Sequence, residues 1–173
     1  MNDNRLQPHL EGDLLKLRPL APADWEELFA AAADPLIWEQ HPASDRHKEE
    51  VFRGFFDDAL ASKGALVAVD RKNGKIIGSS RYFQNEIGEM EIGWTFLIRE
   101  CWGKGHNREM KRLMLEHAFD FAESVVFLIG ANNIRSRKAV EKIGAVLTDR
   151  SVPRIIRGEM VEHVVYRIRR AQS

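Results

Sequence analysis

The sequence has only one cysteine, no net charge and no long apolar run. A lone Cys101 excludes an intrachain disulfide and a zinc site built from thiolates, and it is typical of a reducing compartment. The 26 basic residues balance 26 acidic ones, so composition gives no reason to expect nucleic-acid binding. No apolar segment approaches the roughly 18 residues of a membrane span, and the N-terminus lacks a hydrophobic signal segment. We therefore expect a cytoplasmic protein that uses no metal and has neither a membrane nor a nucleic acid as partner.

The composition that is present, 44% hydrophobic and 30% charged among 173 residues, is typical of a globular protein. This length suits one domain. We expect a single domain, with an ordered core from about residue 10 to about residue 170, as a monomer or a homodimer. The basic cluster of Arg167, Arg169 and Arg170 is interpreted as a solvated strand edge and tail rather than an RNA contact.

Alternation of residue types from Glu89 to Leu97 predicts a strand. One face carries Met90, Ile92, Trp94 and Phe96, and the other carries Glu89, Glu91, Gly93 and Thr95. The pattern therefore predicts one apolar face and one polar face.

The apolar spacing then changes to that of a helix beginning near Met110. Between strand and helix lies Trp102-Gly103-Lys104-Gly105-His106, in which two glycines allow positive φ or close approach to a ligand. Because a helix N-terminus presents unpaired N–H groups, we predict an anion site at 101–107. Two other phosphate motifs are absent: Gly105 follows Lys104 where a P-loop needs Ser or Thr, and Arg108 occupies the third glycine of a dinucleotide fingerprint.

The remaining patterns predict the rest of the fold. Strands are expected at 14–20, 65–70, 75–83 and 125–129, helices at 23–33, about 46–62 and through Ser136 to Gly144, and a closing hairpin at 145–156 and 160–169. Asn73-Gly74 is a hairpin signal between two of these strands. The order βααβββαβαββ predicts an α+β fold: a twisted, mostly antiparallel mixed sheet flanked by helices in three layers.

Several short motifs in order carry a resemblance. They are L-E-G-D-L-L-K-L-R-P-L from Leu10, G-K-I-I-G-S-S from Gly74, E-I-G-W from Glu91, C-W-G-K-G-H-N-R-E-M-K from Cys101, N-N-I-R-S-R-K-A-V-E-K-I-G-A from Asn132 and H-V-V-Y-R-I from His163. The chain resembles the GNAT superfamily of acetyl-CoA-dependent N-acetyltransferases, in the branch that includes ribosomal-protein alanine acetyltransferases. Glu100 departs from the superfamily's pyrophosphate loop, which more often has Gln or Arg there.

The resemblance implies a GNAT fold and acetyl-CoA as cosubstrate, with its pyrophosphate on the backbone of 101–107. It also implies that the pantetheine arm lies along the strand 94–98 as a pseudo-strand, held by the amides of Phe96 and Ile98, while one amide of this strand polarises the thioester carbonyl. The residues implied for acetyl-CoA binding are Phe96, Leu97, Ile98, Cys101, Trp102, Gly103, Lys104, Gly105, His106, Asn107, Asn133 and Ser136.

Two residues are predicted to act in catalysis. Glu91 matches the glutamate of the family's E-[IL]-G-[YW] and is the candidate base for the amine proton, directly or through water, if its surroundings raise its pKa. His106 and His163 are alternative bases. Asn133 and Ser136 match N-x-x-S, which is also a helix N-cap pattern. By resemblance Ser136 protonates the leaving thiolate, and Tyr166 is a possible substitute.

The acceptor is expected to be a primary amine, either a small molecule or a protein N-terminus. By resemblance the first two helices form one wall of its cleft, so Trp38 and His41 are candidate wall residues, with plain packing as the alternative. Two other functions remain open: a non-catalytic acyl-CoA-binding module that lacks a working base, and a regulatory domain that binds ATP at 101–107. Cys101 is not expected to act as a nucleophile, because no basic residue is fixed beside it.

Overall fold

The computed structural model describes residues 4–172, in which the chain forms one eight-stranded sheet and four α-helices. The strands are β1 (Leu10–Glu11), β2 (Leu15–Pro19), β3 (Ala65–Asp70), β4 (Ile76–Gln84), β5 (Met90–Leu97), β6 (Ser124–Gly130), β7 (Val146–Ile156) and β8 (Glu159–Arg169). The helices are α1 (Trp25–Ala32), α2 (Glu49–Ser62), α3 (His106–Ala118) and α4 (Ile134–Lys142). Within residues 4–172, no helix is long and apolar enough to cross a membrane.

The sheet order is β1-β2-β3-β4-β5-β6-β8-β7, and β5 with β6 is its parallel pair. Every other neighbouring pair is antiparallel, which confirms the predicted mixed sheet. The predicted order of elements lacked β1. This strand consists of Leu10 and Glu11, which pair with Leu17 and Lys16, and two residues are too few to show a period.

Helices cover both faces of the sheet, which confirms the three layers. On one face, α3 and α4 pack on β2, β5, β6 and β8 through a core that includes Leu15, Ile92, Met110, Met114, Val125, Val140 and Tyr166. On the other face, α1 and α2 pack on β3 and β5 through a core that includes Leu28, Phe52, Phe56, Val67 and Phe96. The two cores place the middle of the sheet, where β5 and β6 meet, between helical layers.

Two helices begin at residues other than those predicted. Helix α3 begins at His106, about one turn before Met110, because its first turn is polar and adds no apolar period. Helix α2 begins at Glu49 rather than near Arg46, because the preceding residues form turns in which Arg46 N–H donates to Ala43 O (3.1 Å). The two hairpins were predicted correctly: Arg157 and Gly158 have φ of 56° and 76°, and Gly74 has φ of 72°.

A β-bulge in β5 overturns the predicted single apolar face. Trp94 has a φ of 53°, and the β4–β5 register shifts opposite it. Met90 and Ile92 therefore pack in the core beneath α3, whereas Trp94 and Phe96 pack on the α1/α2 side. The extra residue reverses the direction of each following side chain. Alternation over this strand could not reveal the change, because a bulge is absent from the pattern of residue types.

Candidate active site

Strands β5 and β6 separate soon after they pair. Their parallel register is limited to Met90 with Val125 and Glu91 with Val126. Beyond Glu91, β5 runs to Leu97 and β6 runs to Gly130 without pairing each other, although β6 keeps its ladder with β8. The result is a wedge through the sheet, with backbone N–H and C=O groups on its edges. An extended ligand can pair with such groups as a strand does.

The direction of the β5 amides corrects one prediction about the arm of acetyl-CoA. Ile98 N–H donates to Ile77 O of the preceding strand segment at 2.9 Å, so it points away from the wedge. Successive N–H groups of a strand point to opposite sides, which turns Phe96 N–H toward β4 as well. The prediction that the N–H groups of Phe96 and Ile98 hold the arm is therefore wrong, and the N–H groups that face the wedge are those of Thr95 and Leu97. The sequence could not predict which N–H groups face the wedge, because the bulge determines the side to which each following N–H group points.

A turn with two left-handed glycines lies between the end of the wedge and α3. Gly103 has φ of 72° and Gly105 has φ of 93°, and Gly105 is the N-cap of α3. The first intrahelical N–H is that of Glu109, which donates to Gly105 O at 3.0 Å, so the preceding N–H groups of α3 are free for a ligand. Lys104 is exposed beside them. Backbone N–H groups, a helix dipole and a lysine are the groups that bind anions in proteins, so this turn is the candidate anion site.

Side chains around this turn hold it in place. Trp102 Nε1 donates to Leu97 O at 3.0 Å, which ties the turn to the end of β5, and the guanidinium of Arg135 lies 4.1 Å from the Trp102 ring centroid. The Cys101 side chain is buried, and burial raises the pKa of its thiol, so it is not poised as a nucleophile. His106 Nδ1 is buried and has no hydrogen-bond partner within residues 4–172. Cys101 and Trp102 thus support the backbone cradle from behind.

Glu109 fixes the start of α3 and was missed from the sequence. Its buried carboxylate accepts hydrogen bonds from the N–H groups of Asp13 (2.7 Å), Leu14 (2.8 Å) and Leu15 (2.9 Å). A Cβ at Gly12 would lie 2.4–2.8 Å from that carboxylate, so the turn before β2 needs glycine here. The only sequence signal was an acidic residue in the first turn of a helix. Glu109 thereby anchors the anion site to the edge of the sheet.

Glu91 lies at the opposite end of β5. Its side chain is buried, and both carboxylate oxygens accept from Arg154 Nη2 of β7 at 2.9 Å. Burial raises the pKa of Glu91, while the hydrogen bond and charge of Arg154 oppose the rise. This is the environment expected of a carboxylate that acts as a base near neutral pH.

Two histidines, His163 and His41, lie near the end of β6. His163 pairs with Gly130, and its Nδ1 donates to Val161 O at 2.9 Å, which leaves Nε2 as an acceptor in the neutral ring. Burial lowers the pKa of His163. Burial together with the charges of Arg46 and His163 lowers the pKa of His41 to about 3, so both rings are neutral at pH 7.

Trp38, the other candidate wall residue, is a packing residue. Its ring is 2% exposed in the core between α1, α2 and β5, and its Nε1 donates to Ala32 O at 2.9 Å. His41 meets the edge of this ring, with centroids 5.5 Å apart. Of the two predicted wall residues, His41 is the one whose pKa is lowered by the charge of His163.

The alternative bases are therefore at different ends of the site. Glu91 is the second residue of β5, whereas His106 follows the turn beyond the end of this strand. At ~3.3 Å per residue, the strand from Glu91 to Leu97 spans up to roughly 20 Å. One reacting amine cannot contact both residues. In the predicted placement of acetyl-CoA the amine meets the end of the arm opposite the pyrophosphate, where Glu91 and His163 are better placed than His106.

Helix α4 places Ser136 in its first turn, where the hydroxyl is partly exposed. Asn133 occupies the N-cap position without a side-chain cap bond, and Gln40 Oε1 instead accepts from Arg135 N–H at 3.1 Å. The Tyr166 hydroxyl donates to Glu141 (2.6 Å) and accepts from Arg137 (3.0 Å). The Tyr166 hydroxyl is thus occupied by two side chains of α4, which leaves Ser136 as the candidate proton donor.

A buried lysine lies under the wedge. Lys111 of α3 is 4% exposed, its Nζ donates to Thr95 Oγ1 and lies 5.7 Å from the Phe127 ring centroid. Thr95 Oγ1 is in turn 2.7 Å from Ser80 Oγ. Burial lowers the pKa of Lys111 to about 7, because no carboxylate compensates its charge.

Replacing Lys111 with methionine should stabilise the fold by about 1–4 kcal/mol at pH 7, and the gain should vanish toward pH 10. The folded pKa is about 7, below the ordinary 10.5, so between these values the unfolded chain binds more protons and wild-type stability rises with pH. Urea unfolding of both proteins at pH 7, 8.5 and 10 measures the difference. Lys138→Met, at an exposed position of α4, is the control and should show no pH-dependent gain.

Comparison with known proteins agrees with this geometry. The family model described as acetyltransferase (GNAT) domain matches residues 15–146. A GCN5-related N-acetyltransferase from Brucella melitensis superposes with a TM-score of 0.81 at 18% identity, over 94% of this chain and 79% of the other. An acetyltransferase from Agrobacterium tumefaciens str. C58 gives 0.72 at 25% identity, over 94% and 95%.

A third structure belongs to the branch that the sequence resembles. The ribosomal-protein-S5-alanine acetyltransferase from Vibrio fischeri superposes with a TM-score of 0.69 at 17% identity, over 94% of this chain and 97% of the other. At that identity the likeness shows the shared fold alone. The match of the family model to residues 15–146, together with the wedge and the anion site, shows that the chain is an acetyltransferase and belongs to the GNAT family.

Proposed function

We propose that this protein transfers the acetyl group of acetyl-CoA to a primary amine by direct attack in a ternary complex. The observation that carries the proposal is the wedge between β5 and β6, with free helix N–H groups at one end and the buried Glu91 at the other. A donor with a phosphate end and a reactive thioester end matches both. The wedge also gives the acceptor a separate approach from the side of α2 and the β7–β8 hairpin.

Donor binding is assigned to backbone groups. The N–H groups from Gly103 to Asn107 hold the pyrophosphate, and Lys104 adds charge at the rim. The N–H groups of Thr95 and Leu97 face the wedge and hold the arm or polarise the thioester carbonyl. No Cβ-sized obstacle lies within 4 Å of Gly103, so the protein leaves space in front of these groups.

The chemistry needs two proton transfers, and two side chains are assigned to them. Bound acetyl-CoA supplies an acyl group with a thiolate leaving group. Glu91 accepts the proton that the amine loses as its nitrogen bonds to the acyl carbon, directly or through water. Ser136 donates its hydroxyl proton to the departing sulfur as the carbon–sulfur bond breaks, and regains a proton from water. The resulting products are the N-acetyl amine and free coenzyme A.

Acetyl-CoA binding and coenzyme A release test this function together. The protein should bind acetyl-CoA by calorimetry and release free thiol, detected with a chromogenic disulfide, when a panel of amines is added. The panel should include amino acids, polyamines, aminoglycosides and peptides with free N-termini, including alanine peptides. Binding without thiol release from any amine would instead indicate a non-catalytic acyl-CoA-binding module, and stabilisation by ATP rather than acetyl-CoA would indicate a nucleotide-binding domain.

A further inference from the structure

A second cleft lies on the α2 side of β5, and its lining has unusual charges. It encloses about 440 Å³ between α2, the bulge of β5 and the tip of the β7–β8 hairpin. Its lining includes Asp45, Arg46, Phe55, Asp58, Arg81 and Trp94. Trp94 is the residue at the β5 bulge, and Glu91 is three positions before it on the same strand. Glu91 is not part of the lining, but Arg154, which donates to its carboxylate, lies 5.2 Å from the Trp94 ring centroid, so the cleft adjoins Glu91.

Arg81 is the buried cation of this cleft. The residue is 7% exposed in the middle of β4, and its Nε and Nη2 atoms have no hydrogen-bond partner within residues 4–172. Its guanidinium lies 4.5 Å from the Trp94 ring centroid and 5.6 Å from that of Phe55. Burial lowers the pKa of Arg81 to about 10. An arginine that is buried without an ion pair destabilises a fold, so a partner from outside is the expected compensation.

Neighbouring carboxylates do not supply that partner. The charges of Asp58 and Glu91 act to raise the pKa of Arg81. Within residues 4–172, however, neither carboxylate lies within 4 Å of Arg81 as an ion pair. Glu91 is held by Arg154, and Asp45 pairs with Arg157 through Oδ2 at 3.4 Å. Arg46 adds a second cation, stacked 4.6 Å from the Phe55 ring centroid, and burial together with the charge of Arg81 lowers its pKa.

The unpaired atoms define a ligand chemistry. Nε and Nη2 form one edge of a guanidinium, with two parallel N–H groups that match the two oxygens of a carboxylate. The buried Oδ1 of Asp45 is an unpartnered acceptor in the same cleft, suited to an N–H group. A neutral amine offers one lone pair to these two parallel N–H groups, and a polycation is repelled by the charge of Arg81.

We propose that the acceptor is an amine that carries a carboxylate, bound side-on by Arg81 Nε and Nη2 while its amine faces Glu91. The inference rests on the proposed N-acetyl transfer and names its substrate class. The carboxylate has two sources with the same chemistry: the α-carboxylate of a free amino acid, or an acidic side chain next to a peptide N-terminus. From either source, the carboxylate neutralises the positive charges of Arg46 and Arg81. The amine of the same molecule is then deprotonated at Glu91.

Pairs of acceptors that differ only in a carboxylate test the proposed site directly. The first arm compares amino acids with their primary carboxamides, and the second compares Ala-Glu peptides with Ala-Gln peptides. The member with the carboxylate should have a kcat/KM at least about 30-fold higher in one of the arms, and that arm identifies the source. Equal rates within both pairs would overturn the carboxylate site while leaving the proposed acetyl transfer intact.

Variants of Arg81 separate a binding role from a structural one. Arg81→Met should reduce the preference for the carboxylate to within about threefold, and Arg81→Lys should keep only part of it, because lysine lacks the parallel N–H edge. The melting temperature of Arg81→Met should equal or exceed that of the wild type, since an unpaired buried charge is removed. Arg53→Gln is the control, because Arg53 stacks on Trp25 (3.5 Å) outside the cleft. A lower melting temperature with an unchanged preference would make Arg81 structural and end the proposal.

A binding measurement keeps the proposal testable without turnover. Calorimetry should compare an N-acetyl amino acid with its neutral amide, since both are products of the proposed transfer and differ only in the carboxylate. Tighter binding of the acid by the wild type, and its loss in Arg81→Met, supports the site even if every amine is inert. Equal binding of acid and amide contradicts it. Inert amines with intact acetyl-CoA binding count against the proposed transfer alone.

Discussion

Replacement of Gly105 by valine should weaken acetyl-CoA binding by at least about 100-fold in a protein that still folds. Gly105 has a φ of 93°, which a β-branched residue adopts only with strain, and it caps α3 where the free N–H groups begin. A branched side chain there both distorts the cradle and covers the phosphate position. Loss of two hydrogen bonds to charged oxygens is enough for this change in Kd. Calorimetry with acetyl-CoA measures it.

The same strain can be introduced far from the site as a control. Gly74, in the β3–β4 turn, has a φ of 72° and, like Gly103, has nothing within 4 Å of a Cβ. At Gly105 only Leu14 Cδ1 comes that near, at 3.5 Å, so neither position is closed to a side chain. Gly74→Val should therefore lose similar stability and bind acetyl-CoA normally. A folded Gly105→Val protein with the wild-type Kd would show that the phosphates bind elsewhere.

Local signals in the sequence were sufficient for the architecture. Asn73-Gly74 predicts the β3–β4 hairpin because glycine takes positive φ readily in a tight turn, and Gly74 has a φ of 72° there. The glycines at 103 and 105 predicted the cradle for a similar reason. Each of these features depends on the conformational freedom of one or two glycines, which the sequence shows directly.

The site residues that were missed depend on contacts between distant parts of the chain. Glu109 holds the N–H groups of Asp13, Leu14 and Leu15, and Arg154 reaches Glu91 from another strand. Arg81 differs from an ordinary strand arginine only by its burial against Trp94 and Phe55. The Trp94 bulge inverts the side chains of half of β5 and the amides with them. No periodicity of residue types encodes such contacts, so the amide of Ile98 was assigned to the wrong side.

Glu91→Gln should lower kcat by roughly ten- to ten-thousand-fold with little change in acetyl-CoA affinity. The carboxylate must be ionised to accept a proton, so wild-type kcat/KM should fall as pH drops through the pKa of Glu91, which burial raises. Glutamine keeps the shape and an acceptor for Arg154 but cannot titrate. The variant should therefore lose or displace the acidic limb of the pH profile. Initial rates of thiol release measured from pH 5 to pH 9 would show this change.

Glu89→Gln, immediately before the start of β5, is the matched control. Glu89 lies two positions earlier, and its hydrogen bond to Arg150 lowers its pKa to about 2, so it stays ionised across the assay range. This variant should leave both kcat and the acidic limb close to those of the wild type. Ser136→Ala should differ again: its plateau should fall by a factor in the same range as Glu91→Gln, while the acidic limb stays in place.

The shape of the pH profile therefore distinguishes the residue that accepts the amine proton from the residue that donates a proton to the thiolate. Thermal stability has to be compared on the same preparations, because a change in the first turn of α4 can loosen the helix and imitate a catalytic loss at Ser136. An intact acidic limb with wild-type turnover in Glu91→Gln would transfer the role of base to His163, whose neutral ring keeps Nε2 free. His163→Asn in the same assay would then remove the limb, because asparagine can keep the donor to Val161 O but does not titrate.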